Sequence, residues 1–313
     1  MSTAYLAAFA TLFAWTISIF VFAKLSRLED VYILNKAVLF FSIFLLGVLV
    51  CVLDGLTPWE LFMLPNSSNW LWLGISGIIG KSIGDYFGYS ALRILGARRR
   101  SMITTLTPGF TWLFGLIILN ESMNWLGIAA MLLTIVSLLL FINNSSEKNE
   151  VKKENYGLPI PGLLFGIGGA ALTGLAFILS KMTIIGNDTN LSAFHGTWIR
   201  IIVAFLALML FDFVRNKPAG FIKQFLFNKQ KALLLFFGIL FNTVLGLSFS
   251  LMAITQMNAA EAYTIFSLVP VTVILVSVFV YKKNISLRSW FYSILAIAGV
   301  ILLVWRDSLI KLF

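Results

Sequence analysis

Ten apolar blocks alternate with short polar connections along this chain. They cover residues 4–23, 33–53, 70–91, 101–119, 124–142, 160–180, 193–211, 232–251, 260–281 and 288–305. Each approaches the roughly 20 residues a helix needs to cross a hydrocarbon core about 30 Å thick. Open strand edges would leave N–H and C=O groups unbonded in lipid, so blocks of this length predict helices. The expected fold is an all-α membrane protein of ten transmembrane helices.

Two longer polar stretches interrupt this rhythm. Residues 143–159 are rich in Asn, Glu and Lys and read as a linker between two halves, 1–142 and 160–313. In the loop 212–231, Phe221, Ile222, Phe225 and Leu226 share one helical face beside Lys223, Lys229 and Lys231. That pattern predicts a short amphipathic helix lying on the membrane surface.

The halves resemble each other. Setting Pro108 on Pro270 places Gly84 on Gly246, Ala91 on Ala253 and Ala97 on Ala259, and Lys36 of the second span has a counterpart in Arg200 of the seventh. Five is an odd number of spans, so a second copy of five enters the membrane from the opposite side. The expectation is a pair of inverted five-helix repeats, an arrangement typical of secondary transporters.

Composition narrows the class. Of the 313 residues, 59% are hydrophobic and 12% charged, against about 45–50% apolar and about 25% charged in soluble domains. A soluble enzyme and a disordered chain are excluded. The net charge of +10 comes from basic residues scattered between apolar blocks, which argues for loops beside a membrane and against a nucleic-acid partner. Counting Arg288 at the very start of span 10, seventeen of the 23 Lys and Arg residues fall on the side of the loops after spans 1, 3, 5, 7 and 9, while Lys181, Arg306 and Lys311 fall on the other side. The positive-inside bias places the richer side in the cytoplasm and both termini outside, in a plasma (inner) membrane. Cys51 is the sole cysteine, so neither an internal disulfide nor a cysteine metal cluster is expected. The first apolar block lacks a basic start and a clear cleavage site and reads as a retained span.

Ionisable residues within the spans are the candidate chemistry, because charge at mid-bilayer is costly and marks function by default. Lys81 and Asp85 stand four apart on one face of span 3. They read either as a self-neutralising pair or as a substrate and proton site in which Lys81 tunes Asp85. Arg200 in span 7 is placed to hold an anionic group, to snorkel, or to pair with a carboxylate. His195, the only histidine, lies near the end of that span and is either structural or pH-sensing. Glu261 opens span 9, where it suits the helix dipole, gates the cavity or pairs with Arg200. Its repeat counterpart Arg99, within Arg98-Arg99-Arg100, fixes orientation or forms an inner gate. Trp15, Thr16, Tyr86, Asn242, Thr243 and Tyr263 offer hydrogen bonds and stacking faces to a pocket, or simply pack and anchor. Gly80, Gly84 and Gly88 form a stripe on span 3, with Gly162, Gly166, Gly169 and Gly174 in span 6, which lets neighbouring helices approach closely. Pro108 and Pro270 are expected to bend spans 4 and 9.

One region carries a family resemblance. The run Ala91-Leu92, the small-residue stretch around Gly96-Ala97, then Thr107-Pro108, the turn Leu119-Asn120-Glu121-Ser122 and Trp125-Leu126-Gly127 resemble the EamA module of the drug/metabolite transporter superfamily. Trp15 also stands where that module usually has a tryptophan. In the second half, Lys282-Lys283 replaces the module's Glu turn. The resemblance implies a ten-helix bundle with a central cavity walled by spans 1–4 and 6–9, and with spans 5 and 10 at the periphery.

The function expected is secondary active transport of a small metabolite, an amino acid or similar zwitterion or amphiphile, with Lys81, Asp85 and Arg200 at the site. The chain carries no HExxH and no GxxxxGK[ST] motif, so gradients rather than nucleotide hydrolysis would supply the energy and no cofactor is expected. Membrane lipid and a second copy of the chain are the expected partners besides the substrate. Two alternatives are a flippase for lipid-linked substrates and an intramembrane hydrolase. The latter would use Ser76, from Gly74-Ile75-Ser76-Gly77, with His195 as base.

Overall fold

The computed structural model describes residues 3–143, 160–185, 191–215, 222, 225, 228–279 and 286–310. All regular structure among them is helical. The first half holds α1 (Thr3–Leu28), α2 (Val31–Asp54), α3 (Ser67–Gly77), α4 (Asp85–Ile103), α5 (Thr107–Leu119) and α6 (Trp125–Asn143). The second holds α7 (Ile160–Ile185), α8 (Ala193–Val214), α9 (Lys229–Ile239), α10 (Ser248–Gln256), α11 (Ala259–Phe266), α12 (Val269–Phe279) and α13 (Leu287–Ile310). A π-helical stretch, Ile78–Gly84, joins α3 to α4, and a second, Leu240–Leu247, joins α9 to α10. Five runs are long and apolar enough to cross a membrane on their own: Thr3–Leu28, Val31–Asp54, Ile160–Thr183, Ala193–Val214 and Lys229–Gln256.

Polar residues in the connections set where helices begin. The Asp30 carboxylate accepts from the N–H groups of Tyr32 (2.9 Å) and Ile33 (3.2 Å) at the start of α2. Ser192 Oγ does the same for His195 of α8 at 3.1 Å, and Asn228 for Lys231 of α9 at 3.1 Å. Each satisfies an N–H that a helix terminus leaves without an internal partner. At the other end of α2, Gly55 takes φ +67°, the left-handed cap that glycine adopts at little cost.

The break between the third and fourth apolar blocks differs from the expected loop. Helix α4 runs through the Arg98–Arg100 region to Ile103, and a single residue, Gly96 at φ 78°, turns the chain within it. One glycine in a conformation closed to most side chains replaces a loop. Blocks 101–119 and 260–279 are interrupted near the prolines where a bend is expected. A 3₁₀ turn, Thr104–Leu106, precedes α5 with Pro108 in its first turn. Helix α11 stops at Phe266 and α12 restarts at Val269 beside Pro270. Proline is tolerated at such starts because the N–H it lacks has no partner there anyway.

The offset that carries Pro108 onto Pro270 also carries the π stretch 78–84 onto 240–246, within the second π stretch. Contacts between the halves run crosswise. Helix α1 lies along α9, the second π stretch and α10; reciprocally, α7 lies along α3, the first π stretch and α4. Helix α2 packs on α8, α5 on α11, and α6 chiefly on α13. The polar linker falls at 144–159, outside the described residues. So does most of the segment expected to lie on the membrane surface. Its described members, Ile222 and Phe225, pack into the core with Leu25 and Leu34, and Phe225 is fully buried in protein.

Glycine makes the crosswise contacts possible. A methyl group built on Gly77 would lie 2.1 Å from the backbone oxygen of Arg200, and one on Gly80 2.6 Å from the Ala176 side chain. One on Gly246 would meet the Trp15 indole at 2.4 Å. In lipid, helices gain little from burying apolar surface, so backbone proximity of this kind is what holds them. Gly77→Ala, pressing on a carbonyl that cannot rotate away, is expected to destabilise the fold by about 1–3 kcal/mol. Gly109→Ala on α5, with open space around it, should be neutral or stabilise by up to about 1 kcal/mol. Thermal midpoints of the two purified variants check the contrast; equal shifts would contradict the packing described.

Candidate functional site

Where the halves cross, the helices leave a hollow of about 170 Å³. That is the scale of an engineered cavity, about 150 Å³, known to take up a benzene-sized solute. Its walls come from both halves. Trp15, Ser18, Ile19 and Phe22 face it from α1, with Lys81 from the first π stretch and Asp85, Tyr89 and Arg100 from α4. Opposite them stand Thr173 and Phe177 of α7, Arg200 of α8, Asn242 of the second π stretch and Tyr263 and Phe266 of α11. Helix α2 contributes nothing to the lining, a correction to the expected wall of spans 1–4. It supports the wall from behind, through Asn35. Among the described residues α6 and α13 line no part of it either.

The π stretch is the device that aims Lys81 and Asp85. Its wider turn bonds the Asp85 N–H back to the carbonyl of Gly80 and leaves neighbouring carbonyls without their usual helical partners. Asn35 of α2 answers two of them, donating from Nδ2 to the oxygens of Lys81 (3.2 Å) and Ser82 (2.9 Å). Ser82 Oγ donates to the Ala204 carbonyl at 2.9 Å, tying the turn to α8. Backbone groups freed at membrane depth are thus satisfied from within the protein. Lys81 and Asp85 form an ion pair on one face; Lys81 is nearly buried, while the Asp85 side chain keeps 22% of its surface open.

Arg200 is the exception to this pairing. It is 1% exposed, yet its Nε and Nη1 carry no hydrogen bond among the described residues. Its guanidinium lies over the Phe177 ring at 4.7 Å, a cation–π contact. Phe177, Tyr263, Phe266 and Trp15 then form a continuous aromatic wall. Phe177–Tyr263, Tyr263–Phe266 and Trp15–Phe266 all meet edge to face at 5.1 Å. Trp15 Nε1 donates to the Asn242 carbonyl at 3.3 Å, which fixes the indole across the crossing of the halves. The hydroxyls of Tyr263 and Tyr89 are buried without a hydrogen-bond partner among the described residues.

The other sequence candidates sort plainly. Lys81, Asp85, Arg200, Trp15, Asn242 and Tyr263 are brought together. Tyr86 lies outside the hollow, edge to face with Tyr32 and Phe165. His195 is buried elsewhere, its Nε2 bonded to the Leu61 oxygen at 2.9 Å and its ring against Trp198. Glu261 is buried at the start of α11 and is not among the described residues that line the hollow. The Arg99 side chain lies outside the described residues. Ser76 donates to the Leu73 oxygen (2.8 Å) and accepts from Ser180 (2.9 Å), so no bond joins it to His195 as a hydrolase would require. Thr16 bonds Thr272 at 2.5 Å rather than facing the hollow.

Two buried ion pairs escaped the sequence reading. Lys36 of α2 meets Asp212 of α8 at 2.6 Å, and Tyr32 donates to the same carboxylate at 2.7 Å. Lys181 of α7 pairs with Glu121, which follows α5; Lys181 also donates to the Met257 oxygen at 2.7 Å, and Glu121 accepts from the Ala259 N–H at 3.3 Å. The second cluster ties the two halves together. It lies beyond the far end of α5 from the hollow residue Thr107. Helix α5 has 13 residues, a length of roughly 20 Å.

Known proteins agree with this architecture. The sequence pattern of the EamA-like transporter family matches residues 2–143 and 160–305, one match in each half. A cyanobacterial protein, the uncharacterized transporter sll1164 of Synechocystis, is 25% identical over 170 residues. That alignment takes in 50% of this chain and 47% of its relative, so the chain spans about half of that protein's length. A protein of known crystal structure superposes with a TM-score of 0.67 over 96% of both chains at 16% identity, a likeness of fold. The chain belongs to the EamA-like transporter family, within the drug/metabolite transporter superfamily, and is a multi-pass membrane protein.

The buried pairs give a direct test of the electrostatics around the site. Lys36→Met strands the Asp212 carboxylate and should destabilise the fold by about 3–5 kcal/mol, whereas Lys36→Met combined with Asp212→Leu should recover most of that loss. Thermal or denaturant midpoints of the two variants measure it; a double variant as unstable as the single one would contradict the pairing.

Proposed function

We propose that this chain is a secondary active transporter that carries a small charged metabolite, amino-acid zwitterions included, through the central hollow by alternating access. In this reading it has ten spans in two inverted five-helix repeats, and its termini lie outside a plasma membrane. The Lys and Arg bias of the loops supports that orientation. The observation that carries the proposal is the place of the hollow. It lies where each half's first helix packs on the other half's broken third helix, and it holds a buried arginine with two nitrogens that carry no hydrogen bond among the described residues. Substrate sites at a repeat interface, formed by interrupted helices, are the hallmark of such carriers.

The rest of the structure supports the cycle. Hollow residues run along α4 from Asp85 to Arg100, while the Lys181–Glu121 cluster fastens the halves at the other end. Two paired breaks in each half, a π stretch and a proline restart, let the halves rock as rigid bodies. Asp85, partly open and held by Lys81, is the coupling group.

Reconstitution into lipid vesicles tests the proposal. Protein-containing vesicles should take up a charged metabolite from an amino-acid and organic-acid panel saturably, with stimulation by the same solute on the far side. Asp85→Asn should cut uptake driven by a proton gradient by about tenfold or more and leave exchange without a gradient in place. Uptake equal to that of empty vesicles across the panel would overturn the proposal, and non-saturating flux would assign a channel instead.

A further inference from the structure

We infer that the hollow selects a small organic anion, a carboxylate on an apolar body, and that Arg200 binds its carboxylate. The inference rests on the transport reading of the same hollow and sharpens its substrate class. Among the described residues four charged side chains face the cavity: Lys81, Arg100, Arg200 and Asp85. Lys81 and Asp85 neutralise each other as an ion pair, so the hollow keeps an excess of positive charge from the two arginines. Arg100 donates from Nε to the Gly88 oxygen at 3.3 Å. Arg200 is left with Nε and Nη1 unbonded while almost wholly buried. A guanidinium has five N–H donors in a planar fork that fits both oxygens of a carboxylate.

The remaining groups point the same way. The buried hydroxyls of Tyr263 and Tyr89 also lack partners among the described residues and stand ready to donate. Among the described residues no second carboxylate lines the hollow, so the ammonium of a zwitterion would have to compete with Lys81 for Asp85. The aromatic wall around Phe177, Tyr263 and Trp15 gives an apolar body a surface to stack on. About 170 Å³ of space matches a ring or short chain bearing one acid group.

Calorimetric titration of the purified full-length protein decides the question with benzoate, cyclohexanecarboxylate, benzamide, phenylalanine and inorganic phosphate. The acids should bind saturably, with benzamide and phenylalanine at least about tenfold weaker. Arg200→Gln should weaken acid binding by about tenfold to a hundredfold, the range of a lost charge-assisted hydrogen bond, and Arg200→Lys by less. The wild-type comparison of benzoate with benzamide stands even if the variants fold poorly. Benzamide or phenylalanine binding as tightly as benzoate, phosphate as the tightest ligand, unchanged benzoate affinity in Arg200→Gln, or no binding of either acid would each overturn the inference. Vesicle exchange with the same panel separates the two claims. Exchange of phenylalanine with inert acids removes the anion assignment and keeps the carrier. Arg200-dependent benzoate binding with no exchange of any solute keeps the site and removes the carrier.

Discussion

A charge held inside an apolar bundle must be answered by another group, and the protein is organised by how it answers. Water is scarce at this depth, and an ion left alone costs far more than one that is paired. Lys36 finds Asp212, Lys81 finds Asp85, and Lys181 finds Glu121. Arg200 lies over the face of Phe177, and its Nε and Nη1 carry no hydrogen bond among the described residues. The three pairs make the bundle insertable and hold its helices in register, and Arg200 is the cation that faces the hollow without a carboxylate bonded to its Nε or Nη1 among the described residues.

The same logic governs the backbone. A continuous α-helix through residues 67–103 would satisfy its own carbonyls but would present Lys81 and Asp85 on a regular face. The π stretch Ile78–Gly84 shifts that face, and the carbonyls it frees are taken up by Asn35. The glycines around it, Gly77 and Gly80, let α7 and α8 come close enough to close the wall. A helix interrupted in this way costs stability that tertiary contacts must return, and here they come from the other half of the chain.

Much of the bundle was legible in the sequence because apolar length and proline position are local signals. The helices, the two-part organisation and the restarts at Pro108 and Pro270 follow from them, whereas Lys81, Asp85, Arg200, Trp15, Asn242 and Tyr263, which the structure gathers around one space, stood out as polar groups inside apolar spans. What stayed hidden depends on distance across the fold. Lys36 and Asp212 are far apart in sequence and carry no periodic signature; Lys181 was counted as a loop cation although it is buried against Glu121. The buried Phe225 was read as lipid-facing, since an apolar face alone does not say whether protein or lipid covers it. The one-residue turn at Gly96 lies beneath the resolution of a hydropathy pattern. His195 and Tyr86 show the converse: suitable chemistry spent on packing and backbone hydrogen bonds.

The claim that the hollow is reached from both sides of the membrane is tested most directly by a single cysteine at Thr173 on a Cys51→Ser background. Cys51 is the only native cysteine, so labelling reports one site. A membrane-impermeant thiol reagent applied to vesicles of either orientation should modify that cysteine from each face, and an occupant of the hollow should protect it from both. Modification from one face alone under every condition would contradict alternating access through this hollow.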